Sequence, residues 1–170
     1  RFHFGVHHVV GVTEELTPTV SLEDYCLGWA NNPPAIRLKR ALIRRVADSV
    51  RRMHQGGVNH RDLYLCHFLL HLDPKPTPES FRLSLIDLHR AQLRARTPRR
   101  WRDKDLAALY FSVLDIGLTK RDLLCFLAAY FVRPLRLLLR EEAPLLASLA
   151  SEQQRLQTRF ARKSAAGEMT

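Results

Sequence analysis

The clearest pattern of hydrophobic and polar positions in this chain is that of a long amphipathic helix. Its apolar positions recur every three or four residues and are Leu38, Leu42, Val46, Val50 and Met53. Most of the arginines in the same stretch fall on the opposite side, as on a helix with one buried face. Gly56 and Gly57 follow at once, and glycine is common at the C-terminal end of a helix. The pattern predicts a helix that ends just before Val58.

Shorter patterns on either side of this helix indicate strands and a further helix. Residues 2–12 are rich in valine and phenylalanine, which favours a strand or a hairpin. Ser21 and Asp24 form a capping-box pattern that predicts a short helix over residues 21–29. Two short strands are predicted after the long helix, over residues 66–72 and 81–86, because the segment between them has the composition of a turn.

The last part of the chain is predicted to be helical. A polar, arginine-rich stretch over residues 89–102 interrupts the hydrophobic pattern and predicts a loop. Helices are expected over residues 106–114, again after Thr119, and from about Pro134 onwards. Thr119 and Asp122 make another N-terminal capping pattern. Residues 163–170 are polar, and we expect the last helix to fray into them.

Composition places the chain among globular proteins. It has 170 residues, of which 46% are hydrophobic, and this fits one domain with a substantial core. Its three cysteines are odd in number and far apart, which argues against a disulfide framework and for a reducing compartment. No signal-peptide pattern opens the sequence, and the longest apolar stretches are much shorter than the ~20 residues that span a bilayer. A cytoplasmic location is therefore expected.

The charge of the chain predicts an anionic partner but does not select one. The formal net charge is +10 and the isoelectric point is near 10.3. Nucleic acid, an anionic membrane face and a phosphorylated or carboxylated substrate would each suit this charge. Interleaved aromatic residues, zinc-ligand spacing and a helix-turn-helix signature are all absent from the sequence. A nucleic-acid partner is therefore not expected.

Two acidic residues stand where phosphoryl-transfer chemistry would need them. His60-Arg61-Asp62 follows the long helix and its glycines, and matches the start of the kinase catalytic-loop pattern, in which the aspartate is the base. Asp87 ends an apolar strand, at the position where the kinase fold holds Mg²⁺ through a carboxylate. Phosphoryl transfer requires a carboxylate for the acceptor hydroxyl and ligands for the metal that neutralises the phosphates. The two residues together therefore predict a kinase.

Three segments around these residues resemble the lipopolysaccharide core heptose(I) kinases of bacteria. They are GVNHRDLYLCHFLLH at residues 57–71, FRLSLIDLHRAQ at 81–92 and RWRDKDLAALY at 100–110. The likeness extends from about Val12 to the last helix. It implies an α+β fold, namely the mostly helical C-terminal lobe of a protein-kinase-like fold, with a short N-terminal strand and hinge and a small β-ribbon that carries the catalytic loop. It also implies a Gram-negative enzyme that uses ATP and Mg²⁺ to phosphorylate the first heptose of the inner core.

The resemblance further implies roles for single residues. Asp62 would be the catalytic base, in a triplet with His60 and Arg61. Asp87 would be the Mg²⁺ ligand, and Asp105 would support the catalytic loop from below. The residues whose backbone would meet the adenine of ATP, as the hinge, are Thr13, Glu14, Glu15 and Leu16.

The sequence departs from the general protein-kinase pattern at two positions, and the heptose kinases share both departures. His67 stands where protein kinases place a metal-binding asparagine, so it is either a second metal ligand or a support for the loop. Asp87 is followed by Leu88 and His89 and not by Phe and Gly. The conformational flip that the Asp-Phe-Gly motif of protein kinases can undergo is therefore not expected in this chain.

The other parts of an ATP site are not found in this sequence. It contains no glycine-rich phosphate loop and no strand lysine paired with a helix glutamate. We expect these parts to precede Arg1, which would leave the ATP site of this chain incomplete. The expected division is residues 1–16 for the end of the N-terminal lobe and the hinge, 17–162 for the C-terminal lobe, and 163–170 for a polar tail.

The arginine-rich stretch is the expected binding site for the acceptor. Arginine binds phosphate and carboxylate groups bidentately, and the acceptor of the resembling family carries acidic sugars and lipid phosphates. The arginines assigned to the acceptor are Arg90, Arg94, Arg99 and Arg100. A solvated surface loop is the alternative. The expected partners are this glycolipid and, peripherally, the anionic cytoplasmic face of the inner membrane, while a protein partner is left open.

Other functions are compatible with parts of the pattern. They are a small-molecule kinase of the aminoglycoside type, a protein kinase, a pseudokinase scaffold, and a non-catalytic basic module that binds membrane or nucleic acid. The retention of both Asp62 and Asp87 argues against the scaffold. The lack of an activation segment that ends in Ala-Pro-Glu argues against the protein kinase.

Overall fold

The computed structural model describes residues 18–151, 154 and 158. The helices within this part are α1 (Leu22–Cys26), α2 (Ile36–Gln55), α3 (Arg99–Phe111), α4 (Lys120–Phe131) and α5 (Leu135–Glu141). The strands are β1 (Thr19–Ser21), β2 (Val58–Asn59), β3 (Phe68–His71), β4 (Leu83–Leu85) and β5 (Gln92–Leu93). Short 3₁₀ turns cover Leu65–His67 and Leu88–Arg90, and residues 143–151 are helical. The strand or hairpin predicted over residues 2–12 lies outside the described part.

Helix α2 confirms the amphipathic pattern and forms the middle of the core. Its apolar side chains Leu42, Val46 and Val50 are buried, as the three- and four-residue spacing predicts. The helix packs most extensively against α4. Between the two helices the Nζ atom of Lys39 lies 2.8 Å from Oδ2 of Asp122, and both side chains are buried. This ion pair fixes the two helices against each other.

The end of α2 is set by its two glycines, as predicted. The N–H of Gly56 donates to the carbonyl of Arg52, which closes the last turn. Gly57 has a φ of +83°, in the left-handed region that glycine adopts without strain. Its carbonyl accepts a hydrogen bond of 2.9 Å from the N–H of Arg94. A Cβ at position 57 would lie 1.9 Å from the carbonyl oxygen of Arg94, so only glycine allows this close approach.

The short strands form two antiparallel sheets. In the first, β3 lies between β1 and β4, and Leu70 is opposite both Val20 and Leu83. In the second, β2 pairs with β5, and Asn59 is opposite Gln92. The predicted β-ribbon is thus present as β3 and β4. Its first strand begins later than expected because Leu65–His67 forms a 3₁₀ turn, which the N–H of Phe68 closes on the carbonyl of Leu65.

Several of the predicted helix boundaries are wrong, and α1 already ends at Cys26 and α3 at Phe111, each three residues earlier than expected. Helix α3 begins at Arg99 and not at Leu106, so the end of the arginine-rich stretch is helical and not loop. Arginine and lysine are good helix formers, and a helix start whose one apolar residue is Trp101 is missed by a search for hydrophobic spacing. The single helix expected after Pro134 is interrupted at Glu142, where α5 ends and the helical segment 143–151 follows. The capping box of Thr119 and Asp122 at the start of α4 is confirmed.

The helices line a largely apolar cavity of about 370 Å³ that is partly open to solvent. Leu42 and Val46 of α2, Leu109 of α3, Leu127 of α4 and Leu145 of the segment 143–151 contribute to its wall. The core therefore holds a space in the size range of small-molecule pockets. Among the helices of the described residues, none combines the length and apolarity needed to cross a membrane.

Candidate active site

The predicted catalytic loop starts directly after strand β2 and is held from two directions. Strand β5 pairs with β2 on one side, so the segment after Asp87 lies beside the segment before His60. From α3, the buried carboxylate of Asp105 accepts the backbone N–H of His60 at 2.7 Å and that of Arg61 at 2.9 Å. Arg61 has a φ of +76°, which is uncommon for a residue with a side chain. The two hydrogen bonds stabilise the sharp turn that brings Asp62 to the surface.

Behind Asp105 lies a buried polar network that the sequence analysis did not find. The Nε2 atom of His54 lies 3.1 Å from Oδ2 of Asp105, and Nδ1 lies 2.7 Å from the hydroxyl of Tyr130. A carboxylate can only accept, so Nε2 donates to Asp105, while Nδ1 and the hydroxyl of Tyr130 share one hydrogen bond. Burial raises the pKa of Tyr130, which keeps this hydroxyl protonated. A signal was present, because His54 follows Val50 on the apolar stripe of α2, where a polar residue needs a partner.

Asp62 is fixed through its backbone and paired through its side chain. Its carbonyl accepts hydrogen bonds from the N–H of Tyr64 at 3.0 Å and from Nδ1 of His67 at 2.8 Å. The Nη1 atom of Arg90 lies 2.8 Å from Oδ1 and 2.7 Å from Oδ2 of its carboxylate. The position of Asp62 is therefore determined by one contact from the 3₁₀ turn before β3 and another from the turn after Asp87.

Asp87 follows strand β4 and faces the same histidine. It has a φ of +63°, a second left-handed residue in this region, and its Oδ2 lies 3.2 Å from Nε2 of His67. Its Oδ1 accepts a hydrogen bond from Nδ1 of His89. This hydrogen bond lowers the pKa of Asp87, so the carboxylate stays charged at neutral pH. His67 thus brings Asp62 and Asp87 to opposite sides of one imidazole ring.

His60 connects the two loops from below and does not face solvent. Its Nε2 lies 3.0 Å from the carbonyl of Ile86, the residue before Asp87, and its ring stacks on that of His67 with centroids 5.5 Å apart. The side chain is 0% exposed, so it has no access to a substrate. Its position is that of a support which holds the loop of Asp62 against the loop of Asp87. Arg61, by contrast, has an exposed side chain.

The structure separates the predicted acceptor arginines into different environments. Arg90 pairs with Asp62, as described above. On α3, Arg99 and Arg102 pair with the carboxylate of Glu142, at 3.1 and 2.8 Å. These two ion pairs connect the start of α3 with the residue that follows α5. Arg99 and Arg102 therefore have carboxylate partners that the sequence, which lacks acids between His89 and Arg102, did not suggest.

A second group of cations surrounds Trp101. The guanidinium carbons of Arg94 and Arg100 lie 5.8 and 5.0 Å from the indole centroid, and Nζ of Lys104 lies 4.8 Å from it. Within residues 18–151, none of these three cations has a carboxylate partner. Arg100 and Lys104 are also one turn apart on α3, where like charges repel. We name Arg94, Arg100, Lys104 and Trp101 the Trp101 cluster.

The donor set of the site is compatible with a bound metal ion. Mg²⁺ in phosphoryl-transfer sites takes only one or two carboxylates from the protein, and phosphates and water supply the rest. Accordingly, the described part of the chain has no group of three or more acidic, histidine or cysteine side chains arranged to hold a metal. The carbonyl of Asp62 can only accept, so Nδ1 of His67 donates to it, while Nε2 lies 3.2 Å from Oδ2 of Asp87. Either a proton or a cation between Nε2 and this carboxylate would bridge the two groups.

The predicted ATP hinge, Thr13, Glu14, Glu15 and Leu16, lies outside the described residues. Within the described residues, the structure brings together the predicted base Asp62, the predicted metal ligands Asp87 and His67, and the loop support Asp105. The adenine site stays a prediction.

Comparisons with known proteins show which family this chain resembles. The model of the lipopolysaccharide kinase (Kdo/WaaP) family matches residues 4–130. A lipopolysaccharide core heptose(I) kinase WaaP from Escherichia coli is 56% identical over 153 residues, which are 90% of this chain and 58% of that protein. The enzyme of the same name from Pseudomonas aeruginosa is 60% identical over 152 residues, 89% of this chain and 57% of that protein. The chain thus spans somewhat more than half the length of the curated relatives it matches.

Among solved structures, one described as WaaP in complex with acyl carrier protein matches this fold with a TM-score of 0.82. The sequences are 60% identical, and the match covers 84% of this chain and 59% of that one. The likeness confirms the fold class expected from the sequence, α+β and mostly helical.

Proposed function

Since this chain belongs to the lipopolysaccharide kinase (Kdo/WaaP) family, we propose that it is the catalytic lobe of an ATP-dependent kinase for the first heptose of the lipopolysaccharide core. The observation that carries the proposal is the placement of Asp62 and Asp87 on opposite sides of His67. A base and a metal ligand in neighbouring loops are what phosphoryl transfer requires. The names of the relatives that are 56% and 60% identical support the acceptor.

In this proposal Asp62 is the general base. It would accept the proton of the heptose hydroxyl as the oxygen of that hydroxyl attacks the γ-phosphorus. Asp105 would hold the loop through the N–H groups of His60 and Arg61, because a small displacement of a base sharply lowers its efficiency. His60 is proposed as a support between the two loops and not as a group that touches the substrate.

Asp87 and His67 would hold the metal. When bound, Mg²⁺ neutralises the charge of the phosphates and of the leaving ADP. The charged carboxylate of Asp87 suits a hard cation, and His89 orients it from the other side. His67 would act both as a ligand, through Nε2, and as a support for the backbone of Asp62, through Nδ1. We further propose that residues 13–16 form the hinge for adenine.

The acceptor would be bound by the Trp101 cluster. Arg94, Arg100 and Lys104 lack carboxylate partners among the residues that the structure describes, and phosphate or carboxylate groups of the glycolipid would supply them. Arg99 is less suited to this role than the sequence suggested, because Glu142 already pairs with it. With a net charge of +10, the protein would also be attracted to the anionic cytoplasmic face of the inner membrane.

A second proposal concerns a protein partner. We propose that the chain binds an acyl carrier protein, because the similar solved structure is of such a complex. The cavity of about 370 Å³ favours a role for the acyl chain, since its wall is formed mostly by leucine, valine and other apolar side chains. Purified acyl carrier protein, with and without an acyl chain, tests this. The acylated form should raise the melting temperature of the full-length protein more, and equal shifts would exclude the cavity as the acyl site.

The kinase proposal is tested by phosphate transfer from [γ-³²P]ATP to purified lipopolysaccharide core. The full-length protein should label the glycolipid, and Asp62→Asn should lower the rate by ~10²–10⁴-fold, the usual contribution of a general base. The variant should keep the melting temperature of the wild type within a few degrees. Labelling of a free aminoglycoside or of protein, but not of the glycolipid, would show that the acceptor is of another class.

A further inference from the structure

One nitrogen of Arg90 bonds to both carboxylate oxygens of the proposed base. Nη1 of Arg90 lies 2.8 Å from one carboxylate oxygen and 2.7 Å from the other. In the part of the chain that the structure describes, no other side chain bonds to this carboxylate. The side chain of Arg90 is 50% exposed and that of Asp62 is 20% exposed. The pair is therefore accessible from solvent, and its long arginine partner can move away.

The backbone on both sides of the pair is fixed. Asn59 of β2 and Gln92 of β5 are opposite each other, which places the loop that follows Asn59 beside the turn that precedes Gln92. The carbonyl of Asp62 accepts two hydrogen bonds, so its main chain has little freedom. Arg90 ends the 3₁₀ turn Leu88–Arg90, which the N–H of Ala91 closes on Leu88. The part that can change between states is the arginine side chain.

Phosphoryl transfer requires that the base receives the proton of the acceptor hydroxyl. The acceptor oxygen forms a bond to the γ-phosphorus, and the bond from this phosphorus to the β–γ bridging oxygen breaks. ADP leaves with that electron pair, and the hydroxyl proton passes to the carboxylate of Asp62. Each carboxylate oxygen keeps a second lone pair, but in the geometry observed the hydroxyl proton competes with the guanidinium of Arg90 for the carboxylate of Asp62. Movement of Arg90 away from Asp62 removes this competition.

We infer that Arg90 is a positioning residue that keeps Asp62 occupied until a negatively charged group of the acceptor displaces it. The inference rests on the proposed function and specifies its acceptor: a sugar with a phosphate or carboxylate near the reacting hydroxyl. A guanidinium exchanges one such anion for another with both of its hydrogen bonds retained. Water is uncharged and cannot make this exchange. The pair therefore restrains ATP hydrolysis when no acceptor is bound.

The test compares Arg90→Ala and Arg90→Lys with Arg96→Ala in the full-length protein. Arg96 is an exposed arginine of the same stretch and serves as the matched control. ADP release is measured without acceptor, and phosphate transfer is measured with intact and with enzymatically dephosphorylated core glycolipid. Arg90→Ala should raise acceptor-independent hydrolysis about fivefold, because exposed ion pairs shift equilibria by about that factor. It should also raise the KM for the intact glycolipid, whereas Arg90→Lys, which keeps the charge but not the guanidinium, should lie between Arg90→Ala and the wild type.

Each outcome separates this inference from the kinase proposal. If Arg90→Ala hydrolyses ATP no faster than the wild type although it folds, Arg90 does not restrain Asp62 and the inference is wrong. If hydrolysis rises while the wild type labels no glycolipid, the inference holds and the proposed acceptor is wrong. A KM effect of Arg90→Ala that vanishes on dephosphorylated glycolipid assigns the displacing group to a phosphate, and one that persists assigns it to a carboxylate. Arg96→Ala should match the wild type in every arm.

Discussion

The Nε2 atom of His67 lies 3.2 Å from Oδ2 of Asp87, while Nδ1 of the same ring lies 2.8 Å from the carbonyl of Asp62. One side chain thus sets the separation of the proposed base and the proposed metal ligand. The stacking of His60 on this ring and the bond from His60 to Ile86 add a second, buried connection between the same loops. The two loops are therefore expected to move together and not independently.

Substitution of His67 should reveal whether it is a ligand or only a support. His67→Ala loses both contacts, and we expect the affinity for Mg-ATP to fall about 10–100-fold, as for other groups that orient a metal ligand. His67→Asn should keep most of the affinity, because the amide can donate to Asp62 through its NH₂ and present its oxygen to the metal. Isothermal titration of the full-length protein with Mg-ATP measures both.

Asp87→Ala should give the largest loss of Mg-ATP affinity among these variants. It removes the charged carboxylate itself, so the loss of Mg-ATP affinity should exceed that of His67→Ala. The metal role of His67 would be refuted by an alanine variant that binds Mg-ATP as tightly as the wild type.

Substitutions in the buried network behind the loop should show which of its contacts affect only stability and which also affect turnover. Asp105→Ala leaves the N–H groups of His60 and Arg61 and the ring of His54 without an acceptor, which should cost about 3 kcal/mol or more of unfolding free energy. Tyr130→Phe removes only the far end of the network and should cost about 1 kcal/mol. Urea unfolding and kcat are measured for both variants.

The expected difference in kcat makes this test specific. Asp105→Ala should lower kcat by about 10²-fold, because the loop that positions Asp62 loses its support. Tyr130→Phe should leave kcat within about twofold, since it does not touch the loop. Equal effects of the two variants on kcat would mean that Asp105 contributes to general stability and not to the position of the loop.

Whether the sequence predicted a feature of this site depends on how far apart the residues involved lie along the chain. Asp62, Asp87 and α2 were predictable because motifs and hydrophobic spacing are local. The bond from Asp105 to the loop was anticipated only through the family resemblance, since nothing local distinguishes Asp105 from Asp103 on the same helix. The pairing of Arg99 with Glu142 and that of Arg90 with Asp62 connect residues far apart in the chain. No periodicity or spacing in the sequence indicates such pairs. The sequence alone therefore could not distinguish the arginines that pair with a carboxylate from those that do not.

Gly57 should be far less tolerant of substitution than Gly28. Gly57→Ala forces a side chain into the left-handed region at a φ of +83° and places Cβ 1.9 Å from the carbonyl of Arg94. The strained backbone and the clash together should cost at least ~2 kcal/mol of unfolding free energy. A Cβ at Gly28 would meet no atom within 4 Å, so Gly28→Ala is the matched control and should change stability by less than ~0.5 kcal/mol. Chemical denaturation that gives both variants the same midpoint would contradict the close approach of residues 57 and 94.

The two pairs of cations on α3, Arg100 with Lys104 and Arg99 with Arg102, should respond to substitution in different ways. Arg100→Ala with Lys104→Ala removes two cations of the Trp101 cluster, which should raise the KM for the glycolipid and weaken its dependence on salt. Exposed cations lose their attraction as the Debye length falls from ~10 Å at 0.1 M salt to ~3 Å at 1 M. Stability should not fall, because like charges one turn apart repel each other. The KM for ATP should be unchanged, since the proposed metal and hinge contacts are elsewhere.

Arg99→Ala with Arg102→Ala is the matched control, because it removes the same charge from the same helix. Here the carboxylate of Glu142, whose side chain is only 13% exposed, loses both of its partners. An uncompensated carboxylate in a largely buried position is destabilising, so the midpoint of urea unfolding should fall while the KM for the glycolipid changes little. If the Arg99 and Arg102 variant instead raised the KM as much as the Arg100 and Lys104 variant, net charge alone would explain acceptor binding. The Trp101 cluster would then not be a specific site, because any two cations lost from α3 would have the same effect.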